Sequence, residues 1–313
     1  MSHSGKEFDY FNYEVEQSHK EEVKIASDTK LFFHILKYIV IYILLFIPNV
    51  IMFFLGFFSS KIDKKKYFKK IFIAPIHIFL EIKKWILQAK NTSMIIFVLF
   101  IVYMFEILYL GPKDMMNIFM TYQTDIFTSR IYTVFTSIFM HANLLHIAMN
   151  SIALLIFGRI VERHMKKNII WVFILSGVIS NIVSNYISYL QGDFFYSLGA
   201  SGAIAGIIIL AILLSPFTFT SILVIPMPIC VIGWGIMFID FIGIAKESTT
   251  NHLSHLGGYF SILIFLFFLE YRHKQQIFVG LILNIIFIIC LLFIANITDV
   301  SYATEYLKSI FQI

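Results

Sequence analysis

Long apolar runs separated by short polar or basic segments fill most of the chain. Stretches of about 20 apolar residues can cross the hydrocarbon core of a bilayer as α-helices. In lipid a chain must satisfy its backbone hydrogen bonds internally, so such stretches predict helices rather than open strands. The predicted spans are residues 31–58, 93–110, 142–161, 168–189, 199–214, 221–244, 252–270 and 276–297. The pattern therefore predicts an all-α polytopic membrane protein.

Composition and charge narrow the class further. The 313 residues are 59% hydrophobic and 14% charged, whereas soluble domains have roughly 45–50% and about 25%. The net charge of +5 does not indicate a nucleic-acid partner, because the lysines cluster beside apolar runs, where anionic lipid and topology explain them. Cys230 and Cys290 both lie in apolar runs and suggest neither a disulfide framework nor a metal site.

The runs and charges divide the chain into five segments. Nine lysines interleaved with apolar residues over 59–90 predict an amphipathic helix on the cytoplasmic membrane surface, with a solvated linker as the alternative. The segments are a polar N-terminal tail (1–30), an extra transmembrane helix (31–58), a basic amphipathic connection (59–92), a six-helix core (93–270), and an extra transmembrane helix with a C-terminal tail (271–313).

One serine stands among glycines where the run 199–214 begins. Gly199 and Gly202 flank Ser201 closely, and Gly206 follows one turn later. Flanking glycines leave the hydroxyl exposed, and the free N–H groups of a helix start can receive a developing oxyanion. The stretch indicates a nucleophilic serine within the membrane. Gly202 and Gly206 also fit the small-xxx-small pattern, which alone predicts only close helix packing.

Polar side chains recur in the span 142–161. His146 and Asn150 are four residues apart and so lie on one face of a helix. His141 precedes them, off that face, at the outer entrance of the helix. Ionisable groups within spans are costly, which makes each a functional candidate.

The span 252–270 carries a second histidine pair. His252 and His255 are three residues apart, and Gly257 and Gly258 follow. The glycines predict a close approach to another helix.

Several functions fit the histidines alone. Four imidazoles from two helices could ligate haem or a metal, and they could also simply bond across helices. Asp240 and Glu106 would serve a proton-coupled transporter. The haem or metal function leaves the serine among glycines unexplained, and the His-Glu-x-x-His sequence of zinc peptidases is absent from the chain.

Three motifs together resemble the rhomboid intramembrane serine proteases. The matching sequences are Gly199-Ala200-Ser201-Gly202, His255-Leu256-Gly257-Gly258, and His141-x4-His146-x3-Asn150. The first is similar to the family's serine motif, the second to its base motif, and the third to its second-span spacing. The similarity is clearest over residues 131–270, and Glu162 fits the family's usual acidic position after the second span.

The resemblance implies a role for each matched residue. Ser201 would be the nucleophile and His255 the general base of a Ser–His dyad. His146 and Asn150 would donate to the oxyanion together with the backbone N–H of Ser201. His141 would be a supporting residue at the outer edge, and Gly199 would also belong to the set that forms or supports the oxyanion hole. The helix-packing residues would be Gly202, Gly206, Gly257 and Gly258. The resemblance implies a six-helix rhomboid-like core, no cofactor and no metal.

The chain departs from the family pattern at two places. Relatives often carry an aromatic residue four positions after the serine, where this chain has Ala205, so the base must be held differently. Many relatives also carry Trp-Arg before the second span, whereas here Arg130 is displaced and Ile131 follows it. The second departure leaves the anchoring of the first external loop open.

The implied function is hydrolysis of peptide bonds in or near transmembrane segments of membrane-protein substrates, with the lipid bilayer as environment. The alternative is a catalytically inert rhomboid-like protein that binds membrane helices. A prokaryotic plasma membrane is the favoured location, and an organelle membrane such as the mitochondrial inner membrane is the alternative.

Overall fold

The computed structural model describes residues 34–59, 61–111, 114–192, 194, 196–222, 225–243, 251–266 and 274–297. The predicted polar tail 1–30 and the C-terminal tail after residue 297 lie outside the described residues. The helices are α1 His34–Leu55, α2 Lys64–Phe68, α3 Ala74–Gln88, α4 Lys90–Tyr109, α5 Thr133–Thr136, α6 Leu144–Ala153, α7 Arg159–Met165, α8 Ile169–Gln191, α9 Ser201–Leu214, α10 Ile229–Gly243, α11 His252–Leu266 and α12 Lys274–Ile297. The prediction of an all-α polytopic membrane fold is confirmed.

Short strands accompany the helices. They are β1 Thr121–Tyr122, β2 Tyr196–Ser197, β3 Phe219–Ile222 and β4 Ile225–Pro228. β1 pairs with β2 and β3 with β4, each pair forming a sheet of two strands. The predicted span 221–244 is therefore wrong in its first residues, which form strands, and the helix begins only at Ile229.

Helix length separates the candidate membrane spans into two groups. Three helical runs of the described chain are long and apolar enough to cross a membrane: His34–Leu55, Lys90–Tyr109 and Leu144–Gln191. The last has 48 residues and divides at Lys166, where φ is 52°, so it contains two predicted spans. Shorter apolar helices cover Ser201–Leu214, Ile229–Gly243 and Ile277–Cys290.

The chain divides into two compact units. The first comprises residues 1–90 with 219–226, and the second comprises 91–218 with 227–313. In the first unit the basic connection is helical as predicted, and Asp63 caps α2 by accepting a hydrogen bond of 2.9 Å from Lys65 N. The Tyr42 hydroxyl of α1 donates to Ile71 O at 2.9 Å. The membrane-surface position of this connection stays a prediction.

Small residues set the packing of α8, α9 and α11 in the second unit. Gly206 of α9 faces Ser176 of α8, and a Cβ added to Gly206 would lie 2.7 Å from the Ser176 Cβ. Ser261 of α11 donates to Ser176 Oγ at 2.8 Å. Ser180, one turn further along α8, donates to Ser254 O at 2.6 Å. Hydroxyls and glycines thus let three apolar helices approach closely while every buried hydroxyl named here is bonded.

A buried carboxylate fixes the start of α4. Glu162 of α7 accepts hydrogen bonds from Asn91 N at 2.9 Å and from Thr92 N at 2.7 Å. It also accepts from the side chains of Asn91 and Thr92, both at 2.7 Å. A helix start has unpaired N–H groups and a partial positive charge, so a carboxylate there is favourable. Glu162 therefore ties α7 to the beginning of α4.

The last described helix, α12, packs on the same unit. A Cβ on Gly280 would lie 2.6 Å from Leu213 Cα of α9. Trp234 of α10 donates to Asn284 Oδ1 at 3.0 Å and stacks on Phe287 at 5.1 Å between ring centroids. The predicted extra C-terminal helix is thus part of the packed bundle.

Candidate active site

Ser201 is the first residue of α9, and α9 is short. Its 14 residues extend about 21 Å, whereas the 20 residues of α4 extend about 30 Å. The two helices share a level at one end, because the C-cap residue Ser215 bonds to His164 Nε2 at 2.9 Å and nearby Glu162 caps α4. Ser201 therefore lies about 21 Å along α9 from the end that Ser215 ties to His164.

The chain that leads to Ser201 is irregular, yet its backbone is held. β2 pairs with β1 in antiparallel register, Thr121 opposite Ser197. Gly199 N donates to Ser137 O at 2.8 Å. Irregular backbone at membrane depth is tolerated only where protein buries it or water lines it. Pairing with β1 and the bond to Ser137 satisfy part of this backbone within the protein.

Gly199 brings His146 beside the serine loop. Its φ of +115° is one that side chains rarely allow, and an added Cβ would lie 2.6 Å from His146 Cε1 and 2.8 Å from His146 Nε2. The imidazole is half-buried and rests against the backbone two residues before Ser201. Asn143 positions it by capping α6, accepting from His146 N at 2.9 Å.

His141 is buried, although the sequence places it as a supporting residue at the outer edge. Only 1% of it is exposed, and its Nε2 accepts from Asn150 Nδ2 at 3.0 Å. An amide nitrogen can only donate, so His141 carries its proton on Nδ1, which lies 3.1 Å from Phe139 O. Burial, with a smaller contribution from His146, lowers the pKa of His141 to about 4. The neutral ring therefore holds the Asn150 amide in place.

The α9 and α11 backbones meet beside Ser201 and His255. A Cβ on Gly202 would lie 2.7 Å from Ser254 Oγ. A Cβ on Gly258 would collide with the carbonyl oxygen of Gly202 and come within 2.9 Å of Ala205 Cβ. The residue after the serine thus faces the residue before the histidine.

Among the described residues, His255 forms a hydrogen bond through only one of its two ring nitrogens. Its Nε2 is buried and has no hydrogen-bond partner among the described residues. The ring is oriented from its other side, where Nδ1 lies 2.7 Å from Asp240 Oδ1.

The carboxylate of Asp240, in α10, lies within hydrogen-bond distance of three residues of α11: His252, His255 and Tyr259. His252 Nδ1 lies 2.8 Å from the same Oδ1, and the Tyr259 hydroxyl donates to Oδ2 at 2.5 Å. In the sequence Asp240 is a candidate only for a proton-coupled transporter, and His252 has no assigned role. These three residues of α11 converge on one carboxylate, and ligand atoms of Asp240, His252 and His255 lie within 4.8 Å of one another, close enough to hold a metal ion.

Arg130 anchors the loop between α4 and α5, whose anchoring the sequence leaves open. Its Nε lies 3.1 Å from Asp125 Oδ1, and NH2 donates to Met120 O at 3.0 Å. NH1 donates to Asn117 O, and the guanidinium lies 5.6 Å from the Tyr122 ring. The displaced arginine therefore holds the segment that carries β1 and, through it, β2.

The helices and the buried polar cluster define a multi-span helical membrane protein with a polar site built between its helices. Residues 128–272 match the family model of the Rhomboid domain, a match that supports the resemblance of the sequence to the rhomboid family. It is 30% identical over 165 residues to RHOMBOID-like protein 12, mitochondrial, of Arabidopsis thaliana, a match over 47% of this chain and 49% of the relative. The match thus spans about half the length of this curated relative.

Proposed function

We propose that the chain is an intramembrane serine endopeptidase that cleaves membrane proteins in or near their transmembrane segments. The observation that carries the proposal is the contact of Gly202 with Ser254, which brings the starts of α9 and α11 together with Ser201 and His255 beside it. The match of residues 128–272 to the Rhomboid family model supports the reaction class.

In the proposed reaction Ser201 Oγ attacks the carbonyl carbon of the scissile bond, and its proton passes to His255 Nε2. The carbonyl oxygen becomes an oxyanion, which the Ser201 N–H, His146 and Asn150 stabilise. Collapse breaks the C–N bond, and His255 returns the proton to the leaving amine. Water, deprotonated by His255, then hydrolyses the ester on Ser201 and restores the enzyme.

The Nε2 of His255 is buried and has no hydrogen-bond partner among the described residues. This observation is compatible with a protease that has no substrate bound. Catalytic hydrogen bonds are often long in unliganded enzymes and tighten with substrate. The same observation also favours the second candidate, an inert rhomboid-like protein that binds membrane helices. The two are separated by reactivity at Ser201.

The test uses purified full-length protein, a fluorophosphonate label and a panel of model transmembrane substrates. We expect the wild type to be labelled and to cleave at least one substrate, and Ser201→Ala to lose both by about 10⁴-fold or more. Ser151→Ala, a half-buried serine of α6, is the matched control and should keep both. A folded wild type that is neither labelled nor active would favour the inert binder, and labelling retained in Ser201→Ala would refute the nucleophile.

The membrane of residence is part of the proposal. The relative named above is mitochondrial, which supports an organelle membrane, such as the mitochondrial inner membrane, over the prokaryotic plasma membrane that the sequence favoured. Subcellular fractionation of the source cells with an antibody to the chain decides between them.

A further inference from the structure

Asp240 is a buried carboxylate whose two oxygens are both occupied. It is 3% exposed. Oδ1 accepts hydrogen bonds from His252 Nδ1 at 2.8 Å and from His255 Nδ1 at 2.7 Å. Oδ2 accepts a hydrogen bond from the Tyr259 hydroxyl at 2.5 Å. An ionised group at membrane depth is costly without such donors. The three donors stand at positions 252, 255 and 259 of α11, a spacing that puts them on one helical face.

These contacts fix the protonation pattern of His255. A carboxylate can only accept, so the Nδ1 of His255 must carry the proton in this hydrogen bond. A neutral imidazole has one ring proton, which leaves the lone pair on Nε2. Nε2 is the nitrogen that lacks a partner among the described residues. The ring is therefore held in the tautomer that a general base requires.

We infer that Asp240 is a positioning residue for His255 and extends the Ser–His pair to a Ser–His–Asp arrangement. The inference rests on the proposed function. Asp240 also orients the imidazole of His255 in a chain where Ala205 stands in place of the family's aromatic residue. When the Ser201 proton reaches Nε2, the imidazolium stands 2.7 Å from the carboxylate, which stabilises it without taking the proton.

A metal centre formed by the same side chains explains the distances less well. Histidine nitrogens bind zinc at about 2.0–2.1 Å and must be unprotonated at the ligating atom. Here both Nδ1 atoms lie at hydrogen-bond distance from a single carboxylate oxygen, as charge-assisted hydrogen bonds do. His252 shares Oδ1 with His255, but only His255 belongs to the helix contact beside Ser201.

The test compares Asp240→Asn, Asp240→Ala and Asp240→Glu in the full chain. Asparagine keeps an acceptor oxygen but removes the charge beside the imidazolium, and alanine removes both. We expect kcat and the rate of fluorophosphonate labelling to fall at least about tenfold for Asp240→Asn and at least about 100-fold for Asp240→Ala, with KM changed less than about threefold. Asp240→Glu should recover part of the loss, and treatment with a chelator should leave the wild type unchanged.

The matched control is Asp125→Asn, the same change at a carboxylate that is also 3% exposed but lies in the external loop. It should lower thermal stability while labelling per folded protein stays within about threefold. In the wild type, ¹⁵N NMR of histidine-labelled protein, assigned with His255→Gln, should show His255 protonated at Nδ1. This measurement does not depend on the folding of any Asp240 variant.

The outcomes separate the two proposals. A reactive wild type whose Asp240→Ala variant reacts within threefold, or whose His255 is protonated at Nε2, overturns the role of Asp240 alone. Reactivity lost on chelation and restored by Zn²⁺ also overturns it, in favour of a metal site. A wild type that does not react at all overturns the endopeptidase and, with it, the catalytic role of Asp240.

Discussion

At the scale of single residues, the site depends on backbone conformations as much as on reactive side chains. Gly199 has a φ of +115° and leaves no room for a Cβ beside His146, whereas Gly192 has a φ of +72° with nothing within 4 Å of its added Cβ. The two glycines therefore separate the cost of a left-handed backbone from the cost of displacing His146.

Gly199→Ala should abolish most activity. The new methyl group strains the backbone by roughly 1–3 kcal/mol and pushes His146 from the serine loop, for which a loss of about 10²–10³-fold in kcat is typical of an oxyanion donor. Steady-state cleavage of a model substrate measures it. Gly192→Ala should lower stability by about 1–2 kcal/mol with little change in kcat, and equal losses in both variants would contradict this account.

The residue scale also marks what the sequence could and could not predict. Ser201, His255 and Glu162 stand out because their spacings match a family pattern. Asp240 does not, because 15 positions separate it from His255 and only the packing of α10 on α11 brings the two together. A carboxylate within an apolar run was the available signal. The burial of His141 could not be predicted either, because it depends on the loop before α6 bringing His141 against Asn150.

At the scale of elements, contacts between backbones decide how α9 and α11 meet. A Cβ on Gly258 would collide with the Gly202 carbonyl, while Gly235 of α10 has nothing within 4 Å of an added Cβ. Both are helical glycines, so the intrinsic gain in helix propensity from alanine is the same for each.

Gly258→Ala should destabilise the protein by about 1–3 kcal/mol or more, because rigid backbone atoms must separate. Gly235→Ala should be neutral or stabilising by about 0.5–1 kcal/mol. Thermal unfolding in detergent, followed by circular dichroism, measures both. A Gly258→Ala protein as stable as the wild type would show that the two helices are not in backbone contact.

Glu162→Gln tests the attachment of α4. Glutamine keeps one acceptor oxygen where the carboxylate receives four hydrogen bonds, so we expect a loss of about 1–3 kcal/mol in unfolding free energy. Glu81→Gln, at an exposed position of α3, is the control and should change stability by less than about 0.5 kcal/mol. Similar losses in both would mean that the cap contributes nothing specific.

At the scale of the whole molecule, every candidate site residue belongs to the second compact unit. The predicted apolar runs agree with the bounds of α1, α4, α6 to α9, α11 and α12 to within a few residues, because a long apolar run in lipid satisfies its backbone hydrogen bonds as a helix. The β3–β4 sheet was missed although Pro226 and Pro228 interrupt it, because Ile222, Ile225 and Met227 lie directly before the apolar run of α10. How the helices pack depends on pairs of small residues far apart in sequence, which a single sequence does not reveal.

A chain that begins at Lys90 should still react at Ser201, because the described contacts of the site residues all lie within the second unit. Labelling per folded protein should stay within about threefold of the full chain. A chain that ends at residue 273 should be much less stable, since it loses the contact of Gly280 with Leu213 and the bond between Trp234 and Asn284. Equal behaviour of the two truncations would contradict this division.

The shortness of α9 has a consequence for what the protein can recognise. Its far end is tied to α7 through the bond between Ser215 and His164, so Ser201 stands at a fixed distance from that end, set by 14 residues of helix. Under the proposed function, the position of Ser201 selects the bond that is cleaved. The enzyme cleaves whichever bond of the unwound substrate helix lies level with Ser201. In a thicker bilayer the same substrate would present a different bond, and the cleavage position would follow membrane thickness as well as sequence.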